Sequence, residues 1–260
     1  MISTNRFDIL HLLAIAREAG AAIMSVYEGD FEVERKADSS PLTLADLRSH
    51  QVITERLQAW CPDVPILSEE TAEHAGYSVR KEWTECWLVD PLDGTKEFIK
   101  RNGQFTVNIA LIQNSRAVAG VVYAPARDVA YCGVAGQGAF RIQDSQAPER
   151  LPRPQQRAAD TLVVVASLSH YSPQVDEFLA EQRRKYNSVE LLSIGSSLKI
   201  CMVAENSADV YPRLGPTMEW DTAAAHAVAG AAGRRVRNFR TGEELSYNKE
   251  ELKNDWFIVE

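Results

Sequence analysis

The chain has 260 residues, 28 basic and 36 acidic, which leaves a formal net charge of −8. An apolar share of 45% and a charged share of 25% suit a globular chain of one large or two modest domains and exclude collagen-like, disordered and membrane-spanning classes. The acidic excess argues against a nucleic-acid polymer as partner, because phosphate backbones are met by basic stripes.

Apolar residues at Phe7, Leu10, Leu13, Ala14, Ile15, Ala21, Ile23, Met24 and Tyr27 recur at three- and four-residue steps and predict a long amphipathic helix that ends at Gly29. Asn5, Arg6, Asp8, Arg17 and Glu18 interrupt it, so no signal-peptide core is read. No stretch approaches the roughly 18 apolar residues that cross a bilayer, and no transmembrane segment is expected. A second helix starts at Thr43, with Asp46 placed to complete a capping box and Leu44, Leu47, Ile53, Leu57 and Trp60 marking its buried side. Strand signals follow over Val64 to Leu67, Trp87 to Val89, Thr106 to Ile112, Ala117 to Tyr123 and Val129 to Val134, a largely antiparallel sheet behind two helices. The polar segment Asp144 to Arg157 reads as a linker. Beyond it, Leu162 to Ala166, Val189 to Leu192 and Asp209 to Tyr211 read as strands that alternate with helices over Pro173 to Lys185, Ser196 to Glu205 and Glu219 to Ala232. That alternation predicts a smaller α/β layer packed against the first.

The four cysteines, Cys61, Cys86, Cys132 and Cys201, form no Cys-x-x-Cys pair, which removes zinc knuckles and redox motifs and suits a reducing compartment. The expectation is a cytoplasmic protein, with peripheral attachment to the inner membrane's cytoplasmic face left open. Gly133, Gly136 and Gly138 lie between strands with no Gly-Lys-Ser/Thr, so a hairpin is expected there rather than a phosphate loop. Neither a His-Glu-x-x-His spacing nor a Gly-x-Ser-x-Gly elbow occurs.

The informative residues are acids at element ends. Trp87-Leu88-Val89 deliver Asp90 to a strand terminus, and Pro91 cannot donate the next ladder bond, which predicts an edge position. Asp93-Gly94 turns the chain, and Thr95 to Ile99 opens a short helix whose first amides favour anions. Val64 to Leu67 runs into Ser68-Glu69-Glu70, Asp221 opens the alanine-rich helix, and Asp46 lies in the first turn of the second helix. Singly, each suits a turn or a helix start. Together they suit Mg²⁺, because crowded carboxylates raise one another's pKa unless a cation intervenes, and hard oxygen donors with waters and phosphate are its preferred shell. Residue spacing alone leaves both readings open.

Asp90-Pro-Leu-Asp-Gly-Thr95, followed by Trp220-Asp221-Thr-Ala-Ala-Ala-His226, resembles the paired signature of the inositol monophosphatase superfamily, the lithium-sensitive, magnesium-dependent phosphatases. Ser68-Glu69-Glu70 and Lys36-x-Asp38-x-Ser-Pro-x-Thr43-x-x-Asp46 precede it in the expected order, and the resemblance runs from Leu12 to Ala232. Pro91 to Phe98 and Ser193-Ile-Gly-Ser-Ser-Leu-Lys199 are similar to its 3'(2'),5'-bisphosphate nucleotidase branch. The resemblance implies a layered αβαβα sandwich, α+β with an α/β part, of the inositol monophosphatase and sugar phosphatase type. Residues 1–150 would carry the metal site, and residues 158–260 the nucleotide contacts and the last metal-ligand Asp, with the active site between them. The implied reaction is hydrolysis of the 3'-phosphate of adenosine 3',5'-bisphosphate to AMP and phosphate, with the sulfated nucleotide as a second substrate, in sulfur metabolism. The partner is thus a small nucleotide bisphosphate. Inositol phosphate hydrolysis and a non-catalytic cation-binding module are the alternatives.

Carried over by residue, the resemblance implies that Glu69, Asp90 and the Leu92 carbonyl hold one Mg²⁺ and that Asp90, Asp93 and Asp221 hold a second, with a third, weaker one beside Glu69 left open. Asp46 would work with Thr95 to orient and deprotonate the attacking water, and the Gly94 and Thr95 amides would steady phosphate oxygens. Ser196, Lys199 and Arg213 match positions that grip adenosine and the 5'-phosphate, and His170 matches a residue near the base. Leu168 departs from the branch, which has arginine there.

Overall fold

The computed structural model describes residues 7–29, 33–35, 41–144, 146–154, 158, 160–167 and 172–260. The chain enters through α1 (Ile9–Tyr27), crosses the hairpin β1 (Val33–Arg35) and β2 (Pro41–Thr43), and continues into α2 (Leu44–Trp60), β3 (Ile66–Ser68), α3 (Tyr77–Arg80), β4 (Glu85–Asp93) and α4 (Thr95–Ile99). A meander follows through β5 (Thr106–Gln113), β6 (Arg116–Ala124), β7 (Val129–Val134), β8 (Gly138–Gln143) and β9 (Glu149–Leu151). The remainder carries β10 (Thr161–Ala166), α5 (Pro173–Gln182), β11 (Ser188–Ser193), α6 (Leu198–Ala204), β12 (Tyr211–Arg213), β13 (Thr217–Met218), α7 (Ala223–Ala231), β14 (Val236–Asn238), β15 (Lys253–Asn254) and β16 (Phe257–Val259).

Strands β3 to β9 form one seven-stranded sheet in chain order, parallel at β3–β4 and antiparallel elsewhere. One face takes α1 and α2, where Leu12, Leu13, Ile15, Ile23, Ile53 and Leu57 pack against Val107, Ile109 and Val121. Each such fully buried aliphatic side chain contributes about 2 kcal/mol. The other face takes α6 and α7, whose far side meets β10, β12 and β16. Parallel β10–β11 joins β12–β16–β14 through a parallel bridge between Val164 and Val210. Helix α5 closes the outside of this second layer through Val175 and Leu179. The result is the expected αβαβα sandwich.

Helix α7 reaches the sheet closely because two glycines leave room for it. A Cβ at Gly120 would lie 2.4 Å from the Ala224 carbonyl oxygen, and one at Gly133 would lie 2.6 Å from the Val228 Cα. Backbone-to-sheet contact of this kind fixes the body of α7 at a set height above the sheet.

Several expectations are corrected. Leu44 and Leu47 are 49% and 46% exposed, while Ala45, Asp46 and Ser49 are buried. The first turns of α2 lie over the end of β4, where Ser49 Oγ donates to the Pro91 carbonyl at 2.7 Å, so polar groups turn inward there. Strand β4 does not end at Asp90 but runs on through Pro91 to Asp93; its pairing with β3 stops at Val89, so Asp90 has a ladder partner only on β5, the edge position expected. A register shift between Asp90 and Asp93 is the bulge that tolerates a proline without a donor. Part of the polar segment read as a linker is β9, with Leu151 opposite Ala139. Helix α1, with 19 residues and mean hydropathy 1.5, is long and apolar enough to cross a membrane, although none was expected. In this fold its Leu12, Ala16, Ala19 and Ile23 are fully buried in the core. Strands β14 to β16 carried no readable signal, being two or three residues long.

Candidate active site

The capping box of α2 forms as expected and does a second job. Asp46 Oδ2 accepts from the Thr43 amide at 2.7 Å and the Thr43 hydroxyl at 2.6 Å. Its other oxygen faces the Thr95 hydroxyl at 3.4 Å, and that hydroxyl also lies 3.3 Å from the Leu92 carbonyl. The N-cap geometry therefore aims one carboxylate oxygen across to the β4–α4 turn. Gly94 makes that turn with φ of 93°, in the left-handed region, and a Cβ there would come within 3.1 Å of the Gln104 carbonyl oxygen.

On β4, Asp90 is 1% exposed and accepts from the Leu92 amide at 3.0 Å. Asp93 Oδ2 accepts from the Ser197 amide at 2.5 Å, with Asn108 Nδ2 at 3.3 Å and the Thr106 hydroxyl at 3.5 Å. Asp93 is thus where the first sheet and the α6 loop are joined. Glu69 follows β3, its amide donating to the Val89 carbonyl at 3.1 Å. Asp221 precedes α7, and its Oδ2 accepts from the Met218 amide at 2.9 Å.

These elements enclose a cavity of about 270 Å³. Its lining includes Glu69, Asp90, Leu92, Asp93, Gly94 and Thr95 on one wall, and Ser196, Lys199, Arg213 and Asp221 on the other. Asp46 stands behind Thr95. Every expected site residue that is described comes to this one place. His170, Leu168, Lys36 and Asp38 lie outside the described residues.

Burial pushes the Asp90 carboxyl well above the ordinary carboxylate range, and Glu69, Asp93, Asp221 and Asp46 add repulsion. Asp221 is pushed up to about 8, by burial first and by Asp93 second. Asp93 also rises through burial, opposed by Lys199 and by the Ser197 amide. Lys199 is lowered to about 8 by burial, partly offset by Asp93. Its ammonium donates to the Ser196 carbonyl at 2.6 Å and sits 5.7 Å from the Tyr211 ring centroid. Arg213 Nη2 donates to the Pro216 carbonyl at 2.7 Å, while its Nε is buried without a hydrogen-bond partner.

The donor set fits a divalent cation: several buried carboxylates and a carbonyl, all hard oxygen, which a metal ion would relieve of mutual repulsion. Among the described residues no three acids, histidines or cysteines are drawn close enough together to hold a metal ion by themselves. Mg²⁺ suits such a partial shell, because it keeps waters and takes phosphate oxygens.

The polar supports of this site escaped the sequence reading. Thr106, Asn108 and Ser197 form a buried cluster under Asp93, with Ser197 Oγ 2.8 Å from Asn108 Oδ1 and 3.0 Å from Thr106 Oγ1. The available signal was an asparagine in the middle of an otherwise apolar strand, which seldom stays unpartnered.

A profile of the inositol monophosphatase family matches residues 8–255. The chain is 48% identical over 259 residues to the 3'(2'),5'-bisphosphate nucleotidase CysQ of Escherichia coli K12, covering 94% of this chain and 96% of that one. It is 36% identical over 261 residues to the CysQ of Haemophilus influenzae, covering 100% of this chain and 94% of that one. Among solved structures, the CysQ of Bacteroides thetaiotaomicron superposes with a TM-score of 0.86 at 46% identity, over 97% of this chain and 96% of that one. The acids that end β3 and β4 and open α7, in a sandwich shared at this level of identity, place the chain in the inositol monophosphatase family, in its branch of CysQ-type 3'(2'),5'-bisphosphate nucleotidases.

Proposed function

We propose that the chain is a metal-dependent 3'(2'),5'-bisphosphate nucleotidase that removes the 3'-phosphate of adenosine 3',5'-bisphosphate, giving AMP and inorganic phosphate, with the sulfated analogue as a second substrate. The observation that carries this reading is the pairing, in one cavity, of an acidic wall with the buried cations Lys199 and Arg213. Any metal-dependent phosphomonoesterase needs the first. A second phosphate on the substrate gives a use for the second, and the buried Arg213 Nε leaves a donor in hand.

In this reading Glu69, Asp90 and the Leu92 carbonyl would hold one Mg²⁺, and Asp90, Asp93 and Asp221 would hold another, with room for a third, weaker one beside Glu69 left open. Magnesium, when bound, supplies Lewis-acid polarisation of phosphoryl oxygens and lowers the pKa of water. The chain supplies the rest. Asp46, its far oxygen tied by Thr43, cannot swing, and it accepts through the Thr95 hydroxyl the proton of the attacking water. The Gly94 and Thr95 amides meet charge that develops on the phosphoryl oxygens. Ser196, Lys199 and Arg213 take the 5'-phosphate and ribose.

The test is a substrate panel with Mg²⁺, with and without Li⁺. Phosphate release from adenosine 3',5'-bisphosphate should exceed release from inositol 1-phosphate and fructose 1,6-bisphosphate, and Li⁺ should inhibit it. A clear preference for inositol 1-phosphate would overturn the nucleotide reading while leaving family membership intact. Equal background release by wild type and Asp93→Asn would leave only a cation-binding module.

A further inference from the structure

The start of α7 is held in an unusual way. Thr222 occupies the N-cap, where a threonine hydroxyl ordinarily accepts from the next helix amides, yet it makes no such bond. It is 1% exposed and its hydroxyl serves a different set of partners. It donates to the Glu219 carbonyl at 3.1 Å and accepts from Asn254 Nδ2 at 3.0 Å and Tyr247 Oη at 3.4 Å. One donor and two acceptors are the full capacity of a hydroxyl.

Asn254, 5% exposed, reaches both sides of Asp221. Besides Thr222, its Nδ2 approaches the Met218 carbonyl at 2.9 Å and the Thr217 hydroxyl at 3.2 Å. Its backbone lies opposite Thr217 in the β13–β15 pair, with Lys253 opposite Met218. Met218 is the residue whose amide binds the Asp221 carboxylate. Tyr247 is fully buried and lies with its hydroxyl 2.8 Å from His226 Nδ1, one turn further along α7. Two residues from the C-terminal segment therefore grip the chain on either side of Asp221, while the body of α7 is fixed independently by its contact with Gly120 and Gly133.

We infer that Asn254 and Tyr247 are positioning residues for the metal site: they hold the 217–222 turn so that the Asp221 carboxylate faces the acidic wall, and thereby set the affinity for divalent cation. The inference rests on the reading of Asp221 as a metal ligand. Outer partners of ligating groups commonly tune metal affinity in this way.

The experiment is Mg²⁺-dependent thermal stabilisation of the full chain without nucleotide, for wild type, Asn254→Ala, Tyr247→Phe, Asp221→Asn and the control Asn238→Ala, whose side chain donates to the exposed Asp255 at 2.9 Å and accepts from the amides of the exposed Arg240 and Thr241 at 2.8 and 3.0 Å, away from the 217–222 turn. Asn254→Ala and Tyr247→Phe should raise the Mg²⁺ concentration for half-maximal stabilisation about 10-fold, whereas the control leaves it in place. The nucleotide KM at saturating Mg²⁺ should stay within about 2-fold of wild type. If the two variants merely lower the melting temperature in EDTA and keep the wild-type Mg²⁺ midpoint, their role is structural and the inference falls. If Asp221→Asn itself leaves the midpoint unchanged, the ligand reading fails first and takes this one with it. Should Asn254→Ala not fold, Tyr247→Phe, which removes a single oxygen, carries the decision.

Discussion

The two walls of the cavity are built on opposite principles. The acidic wall hangs on strand ends of the seven-stranded sheet, Asp221 faces it from the start of α7, and these acids raise one another's pKa. The cationic wall comes from the α6 loop and β12, and its members are held in place by neutral neighbours, Lys199 by carbonyl oxygens and an aromatic face and Arg213 by the Pro216 carbonyl, with Arg213 Nε left unpartnered. A wall that is unfavourable by itself is one that a bound cation completes. A wall whose cations are already held in place, with a donor to spare, can recognise a ligand without being needed for the chemical step. Loss of an acid should therefore abolish turnover, and loss of a cation should change which substrate is preferred.

The sharpest break of that contrast is Asp93→Asn, which removes charge from the acidic wall and disturbs the Ser197 contact across the two layers. It should lower kcat/KM on the order of 10³-fold, about 4 kcal/mol, with the far-ultraviolet spectrum unchanged. Asp46→Asn should come next, lowering kcat more than it alters KM, because the proposed proton transfer belongs to the transition state. A raised KM with intact kcat would remove Asp46 from that role.

On the other wall, Arg213→Ala should raise KM for adenosine 3',5'-bisphosphate roughly 10- to 100-fold, the worth of hydrogen bonds to a charged group. Its rate on a monophosphate lacking the second phosphate should hardly move. An equal loss on both substrates would erase the distinction between the walls.

The smallest expected effect is on stability. Asp221, raised to about 8, holds its proton more tightly folded than unfolded. In metal-free protein its contribution is complete below the ordinary carboxylate range near 4 and is lost as pH climbs through about 8. The melting temperature in EDTA should accordingly fall as pH rises from about 4 to about 8, and stabilisation by Mg²⁺ should grow over the same window. A melting temperature in EDTA that climbs with pH would show that burial and repulsion at Asp221 are not what its surroundings imply.

Much of this was legible along the chain. The apolar periodicity of α1, the Thr43–Asp46 capping pair, the apolar strands leading to Asp90 and Glu69 and the glycine turn after Asp93 are local matters, settled by residues within one or two turns of each other. The acids that end those elements could be named for the same reason, since strand ends and helix starts are where the local pattern stops. Two local inferences failed because a neighbour outvoted them. Leu44 and Leu47 continue the apolar stripe of α2, yet the backbone end of β4 demanded Ser49 and Asp46 on that side. Asp90-Pro91 suggested a strand end, yet β4 runs on past them through a bulge to Asp93.

What the sequence determined by itself, then, is which residue types stand at the ends of which elements, and through its motifs the family and its chemistry. Tertiary structure alone decided what those ends are tied to. Asp93 meets Ser197 across 104 positions, and Asn254 reaches Thr222 across 32. Such bonds form only once both layers have packed, and buried polar groups must find partners wherever the fold brings them, not where the chain happens to run.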